Sequence, residues 1–280
     1  MPELPEVERV RRILEPALVG ARFERVILNR ADLRQPFPPG FARRLRGQTV
    51  RSLTRRGKYL LAALTSGDML VMHLGMSGWF RVEPLTASPR PRDPDQDLER
   101  RHDHVIFRLS SGLSVTFNDP RRFGLMDLVA ARRAGAHASL ARMGPEPLSR
   151  TFDARALASE CAGRRVPLKL ALLDQRIVAG IGNIYASEAL HLARLSPFRA
   201  ASTVATARGA PRADCVRLVA AIKSVLRRAI RLKESERHRD SRFRVYDREG
   251  GPCRTPGCRG TIARVWQGGR STFYCPVCQR

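Results

Sequence analysis

The hydrophobic positions of this chain change period twice. Between residues 5 and 18, Val7, Val10, Leu14 and Leu18 recur at intervals of three and four, which places them on one helical face. Short apolar, β-rich runs follow at 26–28, 49–53, 59–64, 69–74, 105–109, 113–117 and 125–129, several of them separated by Gly and Ser, as at Ser110-Ser111-Gly112. That many short strands predicts a sandwich or a barrel. The stretch 83–101, rich in Pro, Arg and Asp, reads as a solvated loop between strands. Beyond about residue 130 the helical period returns. A helix is predicted over 151–161 with Thr151 as its N-cap, and another over 214–232 with Val216, Val219, Ile222, Leu226 and Ile230 on one face. The run 234–244 is charged, with little apolar content, and reads as a mobile loop. No internal repeat is apparent. The expected class is therefore α+β and multidomain.

At 280 residues with 43% hydrophobic content, the chain can fill two or three small cores. Its 51 Lys and Arg against 26 Asp and Glu leave a net charge of +25, which points to a polyanionic partner, with nucleic acid ahead of a membrane surface. Arginine dominates the excess; its forked guanidinium suits phosphate, although a GC-rich coding sequence also raises Arg content. No apolar run approaches the roughly 20 residues of a membrane span, and the start lacks the apolar stretch of a signal peptide. A soluble, cytoplasmic protein is expected.

Several constellations carry possible chemistry. The chain opens Pro-Glu-Leu-Pro-Glu-Val-Glu after its methionine. Trimming that methionine would expose the secondary amine of Pro2, a nucleophile able to form an iminium with an aldehyde-like carbon, while Glu3 moves protons. The alternative is that Pro2 and Pro5 punctuate a helix start and Glu3, Glu6 and Glu8 are favourable first-turn charges. Four of the six cysteines crowd the C-terminal end as Cys253-x4-Cys258, sixteen residues, then Cys275-x2-Cys278. Four thiolates close a tetrahedral zinc site with no open position, so its role is structural. Cys161 and Cys215 stand apart and read as buried thiols in helices. Gly268, Gly269 and Arg270 look like a hairpin tip with Ser271 onward as the return strand. The run 174–183 ends one helix and starts another through Gly180 and Gly182; its amides and Asn183 either cradle a phosphate or make an ordinary helical hairpin with Asn183 as N-cap. His73-Leu74-Gly75-Met76-Ser77-Gly78 and Asp119-Pro120-Arg121-Arg122-Phe123-Gly124 place bulky side chains on turns, as wedges for the gap left by an extruded base or as core residues. Lys58 is either a phosphate or proton-transfer group or a surface charge.

Taken together, PELPEVE, RRGKY, HLGMSG, RHDH, DPRRFG, LLDQRIVAGIGNIYASEAL and GGRSTFYCPVC closely resemble, in order and over nearly the whole chain, the bacterial formamidopyrimidine-DNA glycosylase family, which includes the endonuclease VIII-like enzymes. The resemblance implies an N-terminal β-sandwich with its N-terminal helix (1–132), a helix-two-turn-helix domain (133–240) and a C-terminal zinc finger hairpin (241–280), with DNA across the cleft between them. It implies that Pro2 attacks C1′ of the damaged nucleoside and that Glu3 is its acid/base partner. Lys58 would serve β-elimination, Arg270 δ-elimination, and Glu6 would sit in the lesion pocket. His102, Arg121, Arg164, Lys169, Asn183, Tyr246 and Arg270 match DNA-contact positions, Arg164 replacing a usual Lys. Met76, Arg121 and Phe123 match the void-filling residues of the 8-oxoguanine branch.

Two departures bear on the substrate. The segment 231–244 is shorter and more charged than the family's loop over a flipped purine and lacks its Gly-Gly-Thr-Thr pattern, and the first cysteine pair is spaced by four rather than two. The reading is a monomeric, bifunctional glycosylase/AP lyase acting on oxidised purines in double-stranded DNA, with one structural Zn2+. Its rivals are the same chemistry on oxidised pyrimidines or abasic sites, which the shortened loop favours, and a non-catalytic DNA-binding protein, which intact Pro2, Glu3, Lys58 and Arg270 oppose.

Overall fold

A computed structural model describes residues 2–85, 100–135, 137–232 and 243–280. Two compact units emerge, one from Pro2 and Glu6–Ala141 and the other from Glu3–Pro5 and Arg142–Arg280.

The first unit contains most of helix α1 (Leu4–Leu18) and eight strands, β1 (Phe23–Leu28), β2 (Val50–Arg56), β3 (Tyr59–Leu64), β4 (Asp68–His73), β5 (Trp79–Pro84), β6 (Asp103–Leu109), β7 (Leu113–Asn118) and β8 (Leu125–Ala130). Short helices α2 (Phe41–Leu45) and α3 (Ala131–Ala134) complete it. The strands form two antiparallel four-stranded sheets, ordered β1-β6-β7-β5 and β2-β3-β4-β8. Their inward side chains, among them Phe23, Leu60, Met72, Phe107 and Phe117, share one core with Val7, Leu14 and Leu18 of α1. This is the sandwich that the seven apolar runs predict, with β5 added. Residues 83 and 84, expected in a loop, close β5; most of the remaining expected loop, 86–99, lies outside the described residues.

The second unit contains α4 (Ala154–Cys161), α5 (Leu168–Leu173), α6 (Asn183–Leu192), a 3-10 turn at Ala201–Val204, α7 (Ala213–Arg231) and a hairpin of β9 (Ala263–Gln267) and β10 (Arg270–Tyr274). Two helix details differ from expectation. Asp153, not Thr151, caps α4, its carboxylate accepting from the Ala156 amide at 2.8 Å; a helix start two residues later puts Asp at the position where the free amides point. In α7, Val219, Ile222 and Leu226 are buried as expected, but Val216 is exposed. The buried face runs through Cys215, Leu218, Ala221 and Ala229, rotated from the one drawn through Val216. The charged run expected to form a loop falls mostly on 233–242, outside the described residues. Among the described residues, no helix is long and apolar enough to cross a membrane.

Candidate functional site

In the second unit the first residues of the chain meet the start of α6. Glu3 is 1% exposed, and its carboxylate accepts hydrogen bonds from the amides of Gly182 (2.9 Å), Ile184 (2.8 Å) and Tyr185 (3.3 Å). These are the unsatisfied donors of a helix N-terminus, where a negative charge is favoured. The two glycines of the turn make room for this arrangement. A Cβ on Gly182 would lie 2.4 Å from the Glu3 carboxyl carbon, and one on Gly180, whose φ is +80°, would lie 2.8 Å from the Leu4 side chain. Leu4 also donates its amide to the Gly180 carbonyl at 3.1 Å. Gln175 braces the same turn, accepting from the Gly180 amide and donating to the carbonyls of Leu173 and Ile181. The amides that the sequence offered either to a phosphate or to an ordinary helical hairpin hold a carboxylate of the chain itself, and the N-cap is Gly182 rather than Asn183.

Asn183 and Lys169 both reach the β9–β10 hairpin. The Asn183 side-chain amide donates to the Ser271 carbonyl at 2.9 Å, while the Lys169 ammonium donates to the same carbonyl at 3.1 Å and to the Thr272 hydroxyl at 2.6 Å. Lys169 is fully buried. Burial, and then the nearby positive charge of Arg270, bring its pKa down to about 8, against the opposing pull of Glu3. Arg270, next to Ser271, is exposed at the hairpin tip, as the Gly268-Gly269-Arg270 pattern predicts. The Tyr246 ring packs edge-on against Phe273 of β10, and its pKa is raised chiefly by burial. Arg164 is exposed and pairs with Glu160. Glu3, Lys169, Asn183, Tyr246 and Arg270 therefore gather around α6 and the hairpin, with Arg164 outside that group.

In the first unit, Pro2 is half-buried, and Glu6 pairs with Arg9 at 2.9 Å. Lys58 occupies the β2–β3 turn. Burial, Lys58 and Arg34 push the pKa of His73 down to about 4, so its neutral ring accepts the Gly75 amide at 3.0 Å. The two wedge loops are locked together. Asp119, wholly buried, accepts from the Ser77 hydroxyl (2.6 Å) and the Gly124 amide (2.7 Å). Gly75, at φ +64°, passes so close that a Cβ there would lie 2.3 Å from the Phe123 backbone. Met76 and Phe123 emerge from these loops 38% and 43% exposed, so neither is a core residue. The Arg121 guanidinium lies 4.8 Å over the Phe123 ring. His102 lines a shallow basin with Arg30, Arg100, Arg101 and Arg122, a concentration of positive charge.

The four C-terminal thiols come together as their spacing predicts. All four Sγ atoms lie within 4.8 Å of one another, and the four residues can hold a metal ion. Cys161 and Cys215 are instead buried in α4 and α7, where burial pushes their thiols up to about 11 and about 12.

Two family models match the chain, the formamidopyrimidine-DNA glycosylase N-terminal domain over residues 1–126 and the formamidopyrimidine-DNA glycosylase H2TH domain over residues 143–240. The chain belongs to the formamidopyrimidine-DNA glycosylase family. A family member from Rhodopseudomonas palustris (strain BisB18), named formamidopyrimidine-DNA glycosylase, is 55% identical, with 100% of both chains covered. A solved complex of a mutant Lactococcus lactis FPG with a Fapy-dG containing DNA is 29% identical, covers 100% of both chains and superposes with a TM-score of 0.84. The wild-type L. lactis FPG, solved with an oxidised pyrimidine containing DNA, gives 29%, 100% of both and 0.85. The family fold of sandwich, helix-two-turn-helix and cysteine cluster is the one found here.

Glu188 is a residue of the site that the sequence pattern did not single out. It is 4% exposed in α6, and its carboxylate accepts from the amides of Arg244, Val245 and Tyr246 at 2.8–3.0 Å. It anchors the segment that carries Tyr246. Its signal in the sequence is an acid flanked by the apolar Tyr185, Ala186, Ala189 and Leu190 of the same helix. Glu188→Ala leaves three amides without their acceptor and is expected to destabilise the second unit by about 3 kcal/mol, measured in urea; a loss below about 1 kcal/mol would contradict this role.

Proposed function

We propose that this chain is a bifunctional DNA glycosylase/AP lyase of base excision repair that removes oxidised purines, formamidopyrimidines first and 8-oxoguanine opposite cytosine second. The observation that carries the proposal is the buried Glu3 carboxylate held on the α6 amides, one residue from an N-terminal proline, in a chain of this family. With the methionine removed, the Pro2 nitrogen attacks C1′ and the C1′–N bond to the base breaks, the base leaving with a proton. Glu3 moves protons at the sugar as the ring opens to a Pro2 iminium. The iminium acidifies C2′; loss of that proton breaks the C3′–O bond and releases the 3′ phosphate, the step assigned to Lys58. A second elimination, assigned to Arg270, breaks the C5′–O bond, and water then frees Pro2. Glu6 is assigned to the lesion pocket, and Met76, Arg121 and Phe123 to the vacated space in the duplex. His102, Arg164, Lys169, Asn183, Tyr246 and Arg270 are assigned to the grip on DNA. The exposed Arg164 and Arg270 suit direct phosphate contact, whereas Lys169 and Asn183 support the hairpin carrying Arg270.

Zinc is the metal the cysteine cluster fits best. A tetrahedral Zn–S4 site with bonds of about 2.3 Å puts sulfurs about 3.8 Å apart. The Cys253–Cys278 and Cys258–Cys275 separations are both 3.7 Å. Among the described residues the buried core of this finger is Val245, Ile262, Phe273 and Cys275, too little to hold the hairpin without a metal. The three-domain division at 132/133 and 240/241, a monomeric state and a cytoplasmic location belong to this reading.

A second reading, oxidised pyrimidines or abasic sites as preferred substrates, draws on the similarity to the L. lactis complex with an oxidised pyrimidine. A panel of formamidopyrimidine, 8-oxoguanine, oxidised thymine and abasic duplexes compared by kcat/KM separates the two. The oxidised purines are expected to rank above oxidised thymine, and the reverse order establishes the second reading.

Borohydride is expected to trap the trimmed protein on an abasic duplex, and Pro2→Gly to lower trapping and strand cleavage about a hundredfold or more. No adduct from the wild-type protein would sink the lyase assignment. Elemental analysis is expected to find one zinc per chain, lost together with DNA affinity in Cys275→Ser; a metal-free, DNA-binding wild-type protein would refute the structural zinc.

A further inference from the structure

The finger hairpin carries a tryptophan that none of the described residues covers. Trp266, on β9, is 71% exposed, more than any other large hydrophobic residue described. It pairs across the hairpin with Ser271, and Arg264 pairs with Phe273. Directly opposed residues share a face of a two-stranded ribbon, so Trp266, Arg264, Ser271 and Phe273 lie on one side. Tyr246 packs on Phe273 at 5.1 Å between ring centroids, and the Arg264 guanidinium lies 5.8 Å over the same ring. That side exposes Trp266 and Arg264 beside the buried Phe273 and its neighbour Tyr246, while Arg270, opposite Gln267, stands at the tip on the other side of the ribbon.

The hairpin beneath it is held from behind. The Ser271 carbonyl, opposite Trp266, takes both the Lys169 ammonium and the Asn183 amide, and Thr272 bonds Lys169 and Gln267. A large apolar side chain on a rigid, cationic ribbon has the character of a binding hot spot. Arg264 shares its side of the ribbon and Arg270 holds the adjoining tip, and Arg270 belongs to the proposed DNA interface.

We propose that Trp266 is a DNA contact of this chain, its indole packing on deoxyribose and base surface of the duplex from one side of the hairpin while Arg270 at the tip takes a phosphate from the other. The inference rests on the DNA-repair reading above and adds an apolar contact to an otherwise electrostatic grip. The contact is independent of the damaged base, so it serves undamaged duplex as well as lesions.

The chain has two tryptophans, so Trp79→Phe leaves Trp266 as the only indole reporter. This variant is titrated with a fluorescein-labelled duplex carrying a tetrahydrofuran abasic analogue, reading indole emission and, separately, label anisotropy. Indole emission is expected to change in step with anisotropy. In the parent background, Trp266→Ala is expected to weaken duplex binding about tenfold, and Trp266→Phe to restore most of it. Zinc content should stay at the parent level in both. The slope of log Kd against log salt should not change, because no cation is removed. Constant indole emission while anisotropy saturates, or parent-like affinity in Trp266→Ala, overturns the proposal. Anisotropy that never rises overturns the DNA reading itself. Concentration-dependent sedimentation abolished by Trp266→Ala, with DNA affinity intact, assigns the surface to a second copy of the chain and likewise overturns it.

Discussion

The carboxylate of Glu3 on the N-terminus of α6 is the interaction on which the candidate site depends. Hydrogen bonds from neutral donors to a buried charge contribute about 1.5–3 kcal/mol each, and here three amides converge on one residue. A helix N-terminus can bind an anionic ligand; at α6 the anion is the chain's own third residue. The consequences spread outward along the backbone. Leu4 is tied to the Gly180 carbonyl, and residues 180 and 182 must be glycine because side chains there would occupy the space of Leu4 and Glu3. Pro2 precedes Glu3 by one peptide unit, so an N-terminal amine freed there would be tethered to a residue whose carboxylate is already fixed. That is preorganisation achieved by the fold before any substrate is present.

The same helix distributes this constraint to the finger. At its N-terminal end Asn183 reaches the Ser271 carbonyl; further along, Glu188 gathers the amides of residues 244–246. Lys169 from α5 adds a buried ammonium to the Ser271 carbonyl. Burying a cation is costly unless it is hydrogen-bonded, and the bonds Lys169 makes are to the hairpin rather than to a carboxylate. The tip residue Arg270 is thus positioned by polar contacts from two helices, while the cysteine cluster closes the far end of the finger. With so small an apolar core, the metal centre and these buried polar contacts together take the place of a hydrophobic interior.

Much of this was legible in the sequence, and the parts that were not have physical reasons. Short apolar, β-rich runs, several bounded by Gly and Ser, made β1 to β4 and β6 to β8 readable. β5 was not, because Arg81 and Glu83 interrupt its apolar pattern; in the fold Arg81 pairs with Glu83 at 2.9 Å and with Asp103 at 2.6 Å, a long-range partner no local window contains. Thr151 and Asp153 are both good cap residues, and only the backbone path decides between them. Val216 looked buried because β-branched apolar residues usually are; the α7 face is set instead by smaller Cys215, Ala221 and Ala229 against the other helices. In the site, the cysteine cluster followed from spacing, whereas turn chemistry left Met76 and Phe123 open between exposed and core positions, and their exposure decides it. The partner of the α6 amides was not legible, since Glu3 and Gly182 are 179 residues apart.

The few acids of the chain also explain how a net charge of +25 coexists with a packed interior. Among the described buried carboxylates, Glu3, Asp119 and Glu188 accept main-chain amides, and Asp103 pairs with Arg81. Buried carboxylates used in this way satisfy backbone donors that would otherwise be stranded, and they do so without neutralising guanidinium groups. The surface acids that do pair with arginines, as in Glu160 with Arg164 and Asp174 with Arg176, sit in exposed pairs of little strength that salt screens. A polyanion can compete for such arginines at small cost, whereas it cannot displace the buried carboxylates without unfolding the turns they hold. Fold stability and nucleic-acid affinity therefore draw on separate sets of charges: the first is set by carboxylates on amides, the second by arginines that the fold leaves near the solvent.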